Sequence, residues 1–213
     1  MDFSFLNIER LIYLLPGFII GLTFHEYAHG WMAYRLGDNT ARSYGRLTLN
    51  PIAHLDPIGL LMLYFAGFGW AKPVPVNPYN LKVDIKQGML LVAFAGPATN
   101  IVVALICTLV LGIFAGFNIP HFNNFMMMAI QINVVLAVFN LLPIPPLDGS
   151  RILAGMLPGE HAWLNNLEQY GFIILIVLVI TGAIGTLFRY IVYPIVTVLF
   201  DAAFVISSIF RFW

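Results

Sequence analysis

Hydrophobic positions along this chain fall into long unbroken blocks, without the alternation of a half-buried strand or the stripe of a soluble amphipathic helix. A helix needs about 20 apolar residues to cross the hydrocarbon core of a bilayer. Residues 11–34, 87–120, 122–147, 169–188 and the run from Tyr190 to Phe210 each reach that length. The blocks 87–120 and 122–147 contain no Asp, Glu, Lys, Arg or His, and the last run is interrupted by Pro194 and Asp201. The run 57–71 is shorter and bears glycines, which predicts a re-entrant or interfacial segment. Thr40 to Asn50 alternates polar and apolar residues for part of its length, which predicts a short β-hairpin near residues 40–50 with an edge for an extended peptide. The expected fold is an all-α polytopic membrane protein of five to six transmembrane or re-entrant helices. It is expected to form one integral-membrane domain over 1–213, with core motifs at 17–155 and C-terminal helices at 169–213.

Composition sharpens this picture. Hydrophobic residues make up 60% of the chain and charged ones only 9%, against roughly 25% charged in soluble domains. Formal net charge is zero, which gives no support to a nucleic-acid partner. The single cysteine, Cys107, has no intramolecular partner for a disulfide. No basic n-region or small-residue cleavage site opens the chain, so a retained first helix is expected. With the short segment turning back, Arg35, Arg42, Arg46, Lys72, Lys82, Lys86, Arg151 and Arg211 share one side, and Arg10 and Arg189 the other. The positive-inside rule puts the richer side in the cytoplasm.

Against this apolar background, His25-Glu26-Tyr27-Ala28-His29 stands out. Ionisable groups at a helix centre cost about 2.5–3.5 kcal/mol each on insertion scales, so they mark function. Positions i and i+4 share a helix face, so both imidazoles can meet one metal ion. Glu26 lies about 100° around the helix from His25, placed to reach a metal-bound water rather than the metal. Zinc lowers the pKa of such a water to about 7. Gly17, Gly21, His25 and His29 recur every four residues, a face smooth enough for another helix or loop to approach.

A catalytic zinc usually takes three protein ligands and a water. The candidate for the third is Asp148, which follows an uncharged run and the helix-breaking Pro143, Pro145 and Pro146, with Gly149 after it. Its structural alternative is capping of the helix that starts there. Asn100 and Asn140 are amides within uncharged runs, read either as substrate-side hydrogen-bonding groups or as interhelical bonds. Pro143 and Pro145 are candidate substrate contacts because prolines free neighbouring carbonyls. His54, beside Asp56, is a candidate accessory ligand or an ordinary loop histidine.

These residues together resemble the site-2 protease family of intramembrane zinc metalloproteases. The resemblance rests on H-E-x-x-H at 25–29 and on N-x-x-P-x-P-x-L-D-G, which Asn140 to Gly149 matches at every fixed position. Ala95 to Asn100, "AGPATN", resembles a further family element. "GRLTLNPIAHLDPIG" and "GWAKPVPVNP" look like the small bacterial and archaeal branch without PDZ or CBS modules. The resemblance implies one zinc ion held by His25, His29 and Asp148, with Glu26 as general base. It also implies hydrolysis of peptide bonds in transmembrane protein substrates within the bilayer, in the cell membrane of a prokaryote with the site nearer the cytoplasm. Two alternatives compete: a cation transporter or channel using the His/His/Asp cluster, and a catalytically silent substrate-binding relative.

Overall fold

The computed structural model describes residues 8–66, 69–117, 119–159 and 162–210. Long apolar helices dominate, as the block pattern predicts. Helix α1 (Ile8–Arg35) carries H-E-x-x-H in its second half. Helix α4 (Ile85–Phe114) starts at an Asp84 N-cap, whose side chain accepts from Gln87 N–H, and carries Pro97 inside it. Helix α5 (Phe122–Asn140) runs into the proline-rich loop. These three helices pack against one another, with α6 (Asp148–Met156) and α9 (Tyr193–Phe210) laid against α4. Helix α7 (Ala162–Ile180) leads through the short α8 (Ala183–Leu187) and a π-helical turn at Phe188–Val192 into α9.

Three helical segments are long and apolar enough to cross a membrane by length and composition: Ile85–Phe117, Phe122–Asn140 and Ala183–Phe210. The chain is therefore an all-α membrane protein. The run 57–71 forms the short α3 (Pro57–Ala66), whose first turn is capped by Asp56 Oδ1 at 2.8 Å from Ile58 N–H.

The hairpin expected near residues 40–50 does not form. Thr40–Ser43 is a single helical turn, α2, followed by turns and bends. The reason is local: Asp38 takes the Thr40 N–H and hydroxyl on its Oδ1 and so starts a helical turn where alternation alone had indicated a strand. Among the described residues, bridge pairing is confined to Leu55 with Ala71.

Small residues let the helices approach closely around the site. A methyl group on Gly17 would sit 3.0 Å from the Cα of Ala129, and one on Gly21 would sit 3.0 Å from Asn133 Oδ1. The glycine face of α1 is thus the seat of α5. Phe18 and Leu22 of α1 meet Leu63 of α3 and Ile132 of α5 in one buried cluster. Ala104, Val134, Val192 and Val196 tie α4 and α5 to the last helix.

Candidate metal centre

The register of α1 brings His25 and His29 to the same face, both less than a tenth exposed. The loop after α5 turns the chain so that Asp148, the first residue of α6, points at them. Its Oδ2 lies 3.1 Å from His25 Nε2 and 3.2 Å from His29 Nε2. The two Nε2 atoms are 3.0 Å apart. Leu147 occupies the N-cap position of α6 with no side-chain cap bond, and Asp148 is the first helical residue, so Asp148 does not cap this helix.

The outer nitrogens decide what the inner ones offer. His29 Nδ1 lies 2.7 Å from the Val92 carbonyl, which only accepts, so Nδ1 carries the proton. His25 Nδ1 lies 2.7 Å from Asn100 Oδ1. The Asn100 amide cannot flip, because its Nδ2 donates to the Gly21 carbonyl and to Asn133 Oδ1, both at 3.0 Å. Asn133 is fixed in turn by donating from its Nδ2 to the Ala129 carbonyl at 2.8 Å. The chain of donors runs one way, from His25 through Asn100 and Asn133 to α5. In their neutral form both imidazoles therefore aim bare Nε2 lone pairs at the same point as a carboxylate oxygen.

This donor set fits a zinc ion. Three electron-rich atoms facing one another repel unless a cation lies among them, and Asp148 Oδ2 is buried with no hydrogen-bond donor of its own. His25, His29 and Asp148 form a cluster able to hold a metal among the described residues. In a tetrahedral site with bonds of about 2.0–2.1 Å the ligand atoms stand roughly 3.3–3.4 Å apart, close to the separations here. Two imidazoles, each oriented by a further hydrogen bond, and a carboxylate form the usual protein share of a catalytic zinc site.

Glu26 stands beside the cluster without joining it. Its Oε2 accepts the backbone N–H of Val74 at 2.8 Å. Val74 belongs to an extended strap, residues 71–77, which crosses the site. The strap is held at several points: Lys72 N–H donates to the His54 carbonyl at 2.9 Å, and Arg46 Nη2 donates to the Lys72 carbonyl at 2.8 Å. At its far end Asn77 N–H donates to Asp38 Oδ2 at 2.7 Å. Asp38 is fully buried and also receives Asn80 Nδ2. Burial alone would push the Asp38 carboxyl up, but hydrogen bonds from Thr40, Asn77 and Asn80 together hold it below the usual carboxylate range.

A cavity of about 620 Å³ opens on the cluster, lined by His25, Glu26, His29 and Asp148 and walled mostly by apolar side chains of α1, α3, α5 and α7. Asn140 and Pro146 line it; Pro143 and Pro145 do not. Pro143 is exposed, and Pro145 is buried where Gly171 of α7 passes against it. Asn140 donates to its own helix at Leu136 O, 2.9 Å away. The Asn100 amide is engaged within the protein at both ends, which leaves no free group for a substrate. His54 is buried too, but it is not part of the cluster and donates from Nε2 to the Thr48 carbonyl at 2.8 Å. Asn133, Asp38 and the Val74 N–H are features of the site that the sequence pattern alone does not pick out. A methyl group on Gly96 would lie 2.5 Å from His29 Nε2, so the glycine of "AGPATN" gives the imidazoles their room. Asn133 carried one signal: it is a further amide on the same uncharged run as Asn140.

Comparison with known proteins gives a consistent set of relatives. A model of peptidase family M50 matches residues 116–182. YwhC of Bacillus subtilis (strain 168), named as a candidate zinc metalloprotease, is 42% identical over 187 residues, covering 84% of this chain and 85% of that protein. Rip2 of Mycolicibacterium smegmatis, named in the same way, is 32% identical over 212 residues, covering 95% and 81%. MJ0611 of Methanocaldococcus jannaschii is 28% identical over 153 residues, covering 71% and 75%. No solved structure matches the chain.

Proposed function

The chain belongs to peptidase family M50 and is an intramembrane zinc metalloprotease; we propose that His25, His29 and Asp148 hold its zinc and that Glu26 is the general base. The observation that carries this assignment is the convergence of His25 Nε2, His29 Nε2 and Asp148 Oδ2 to 3.0–3.2 Å beside Glu26. When bound, zinc supplies Lewis-acid chemistry that polarises a scissile carbonyl and makes water a nucleophile at neutral pH. Asn100 and Asn133 hold His25 in the tautomer that presents Nε2, and the Val92 carbonyl does the same for His29. The Val74 N–H fixes one oxygen of Glu26, leaving the other to take a proton from water and return it to the departing amine.

Substrates are transmembrane proteins. The apolar walls from Leu22, Leu136, Phe139 and Leu175 suit the side chains of a membrane segment and keep bulk water from the reacting bond. One integral-membrane domain is built from five spans: α1, α4, α5, α7 and the α8–α9 unit, with α3 re-entrant. The loops rich in Arg and Lys face the cytoplasm of a prokaryotic cell, and the site lies nearer that side.

Comparative membrane proteomics tests the assignment, with wild type set against Glu26→Gln in cells and zinc content measured on the purified proteins. Glu26→Gln is expected to keep about one zinc per chain and to lose on the order of 10²–10⁴-fold in cleavage, so that intact membrane proteins accumulate. Cleavage at the wild-type rate would remove Glu26 from the mechanism.

A further inference from the structure

Asp201 is a carboxylate within the apolar helix α9, and it takes no part in the metal cluster. It sits near the middle of α9, eight residues after Tyr193 and nine before Phe210, or about 12 and 14 Å along the axis. Exposed Tyr190 and Tyr193 mark one end of this span, where aromatic rings sit at the headgroup level. Asp201 itself is exposed on the outer face of the bundle, and no group among the described residues bonds to it. A lipid-facing carboxylate in mid-span is costly and calls for a partner.

Its surroundings extend the same character. Thr197 lies one turn before Asp201 and Ser208 two turns after, both exposed on the same stripe. Their hydroxyls donate to their own helix, at Tyr193 O and Val205 O. What they leave facing outward are acceptor lone pairs. Ala202, also exposed, adds a small residue that lets another helix come close. No residue of α9 lines the catalytic cavity, so this stripe is separate from the cleft.

A second copy offers this stripe no basic side chain from its apolar runs. The apolar runs long enough to cross the bilayer, residues 11–34, 87–120, 122–147, 169–188 and 190–210, contain no Lys or Arg. Two copies inserted with the same topology would bring Asp201 to Asp201 at equal depth, like charge against like. We infer that the Thr197–Asp201–Ser208 stripe of α9 docks a transmembrane helix of a different membrane protein, one that carries a Lys or Arg near its mid-span. Charge complementarity sets the choice of partner, and the depth of Asp201 sets its register.

The test uses full-length protein in the Glu26→Gln background, which keeps the probe intact, labelled with a donor fluorophore in phosphatidylcholine vesicles. The probe is an acceptor-labelled Leu/Ala transmembrane peptide with a single central Lys. Energy transfer is expected to report binding at least ~5-fold tighter than for the same peptide with Leu in place of Lys. The preference is expected to vanish in Asp201→Leu and Asp201→Asn, and to drop when the Lys is moved two turns toward one end. Equal binding of the Lys and Leu peptides, or a Lys preference that survives Asp201→Leu, would overturn the inference. So would Asp201-dependent transfer between two labelled copies without peptide, which would assign the stripe to self-association.

Discussion

Asp38 and Asp148 both bury carboxylate oxygens, yet they are solvated in opposite ways. Asp38 is surrounded by donors: the Thr40 N–H and hydroxyl, the Asn77 N–H and the Asn80 amide. Asp148 Oδ2 has none, and faces two imidazole nitrogens whose protons lie on their far sides. A carboxylate whose acceptors are filled holds a fold together; one left unsatisfied among other electron-rich atoms is suited to a cation. Burial alone does not separate the two cases, whereas the direction of each neighbouring N–H does.

Substitutions can break this contrast at several strengths. Asp148→Ala is expected to have the largest effect: zinc content falling well below one per chain, cleavage lost, and little change in thermal unfolding of the metal-free protein. Zinc analysis alongside unfolding checks it, and a stability loss with zinc retained would make Asp148 a second Asp38. Asn133→Leu should lower zinc affinity by roughly 10–100-fold, the usual effect of groups that orient metal ligands. Competition with a chelator measures this; unchanged affinity would mean that the amide relay does not set the His25 tautomer.

Asp38→Ala is expected to leave zinc bound but to cost about 1–3 kcal/mol of stability, because several buried donors lose their acceptor. Its pH dependence has a fixed sign. The folded carboxyl titrates below its unfolded value, so its contribution is present above about pH 4 and fades as pH falls through the folded value. The stability gap between wild type and Asp38→Asn should be flat from pH 5 to 8 and close under acid conditions. A gap that widened on acidification would contradict the hydrogen-bond assignment. The smallest effect is expected at Asn140→Ala, within about 0.5 kcal/mol in stability and neutral for zinc, since its amide bonds only to its own helix.

The chemistry was more legible in the sequence than the scaffold that orients it. His25, Glu26 and His29 sit on one helix, where an i, i+4 rule operates without tertiary information. Asp148 could be found because a charge is rare in such apolar surroundings and three prolines break the helix before it. Asn133 and the strap were hidden for a different reason. The Asn100–Asn133 bond spans 33 residues and the Val74–Glu26 bond 48, and neither leaves a local periodicity. Asn100 left two readings open, a substrate group or an interhelical bond, because an amide in an uncharged run does not name its neighbours; it bonds α1 and α5. The hairpin failed for the converse reason, since Asp38 imposes a turn that short-range alternation does not reveal.

Gly96 carries a consequence for how natural variation in this gene should be judged. A glycine-to-alanine change within an apolar helix is the mildest of edits, and in most helices it raises intrinsic stability. At this position the added carbon would fall within 2.6 Å of both imidazole rings. An allele carrying it would keep His25, Glu26, His29 and Asp148, and would still crowd the two imidazoles out of their present positions.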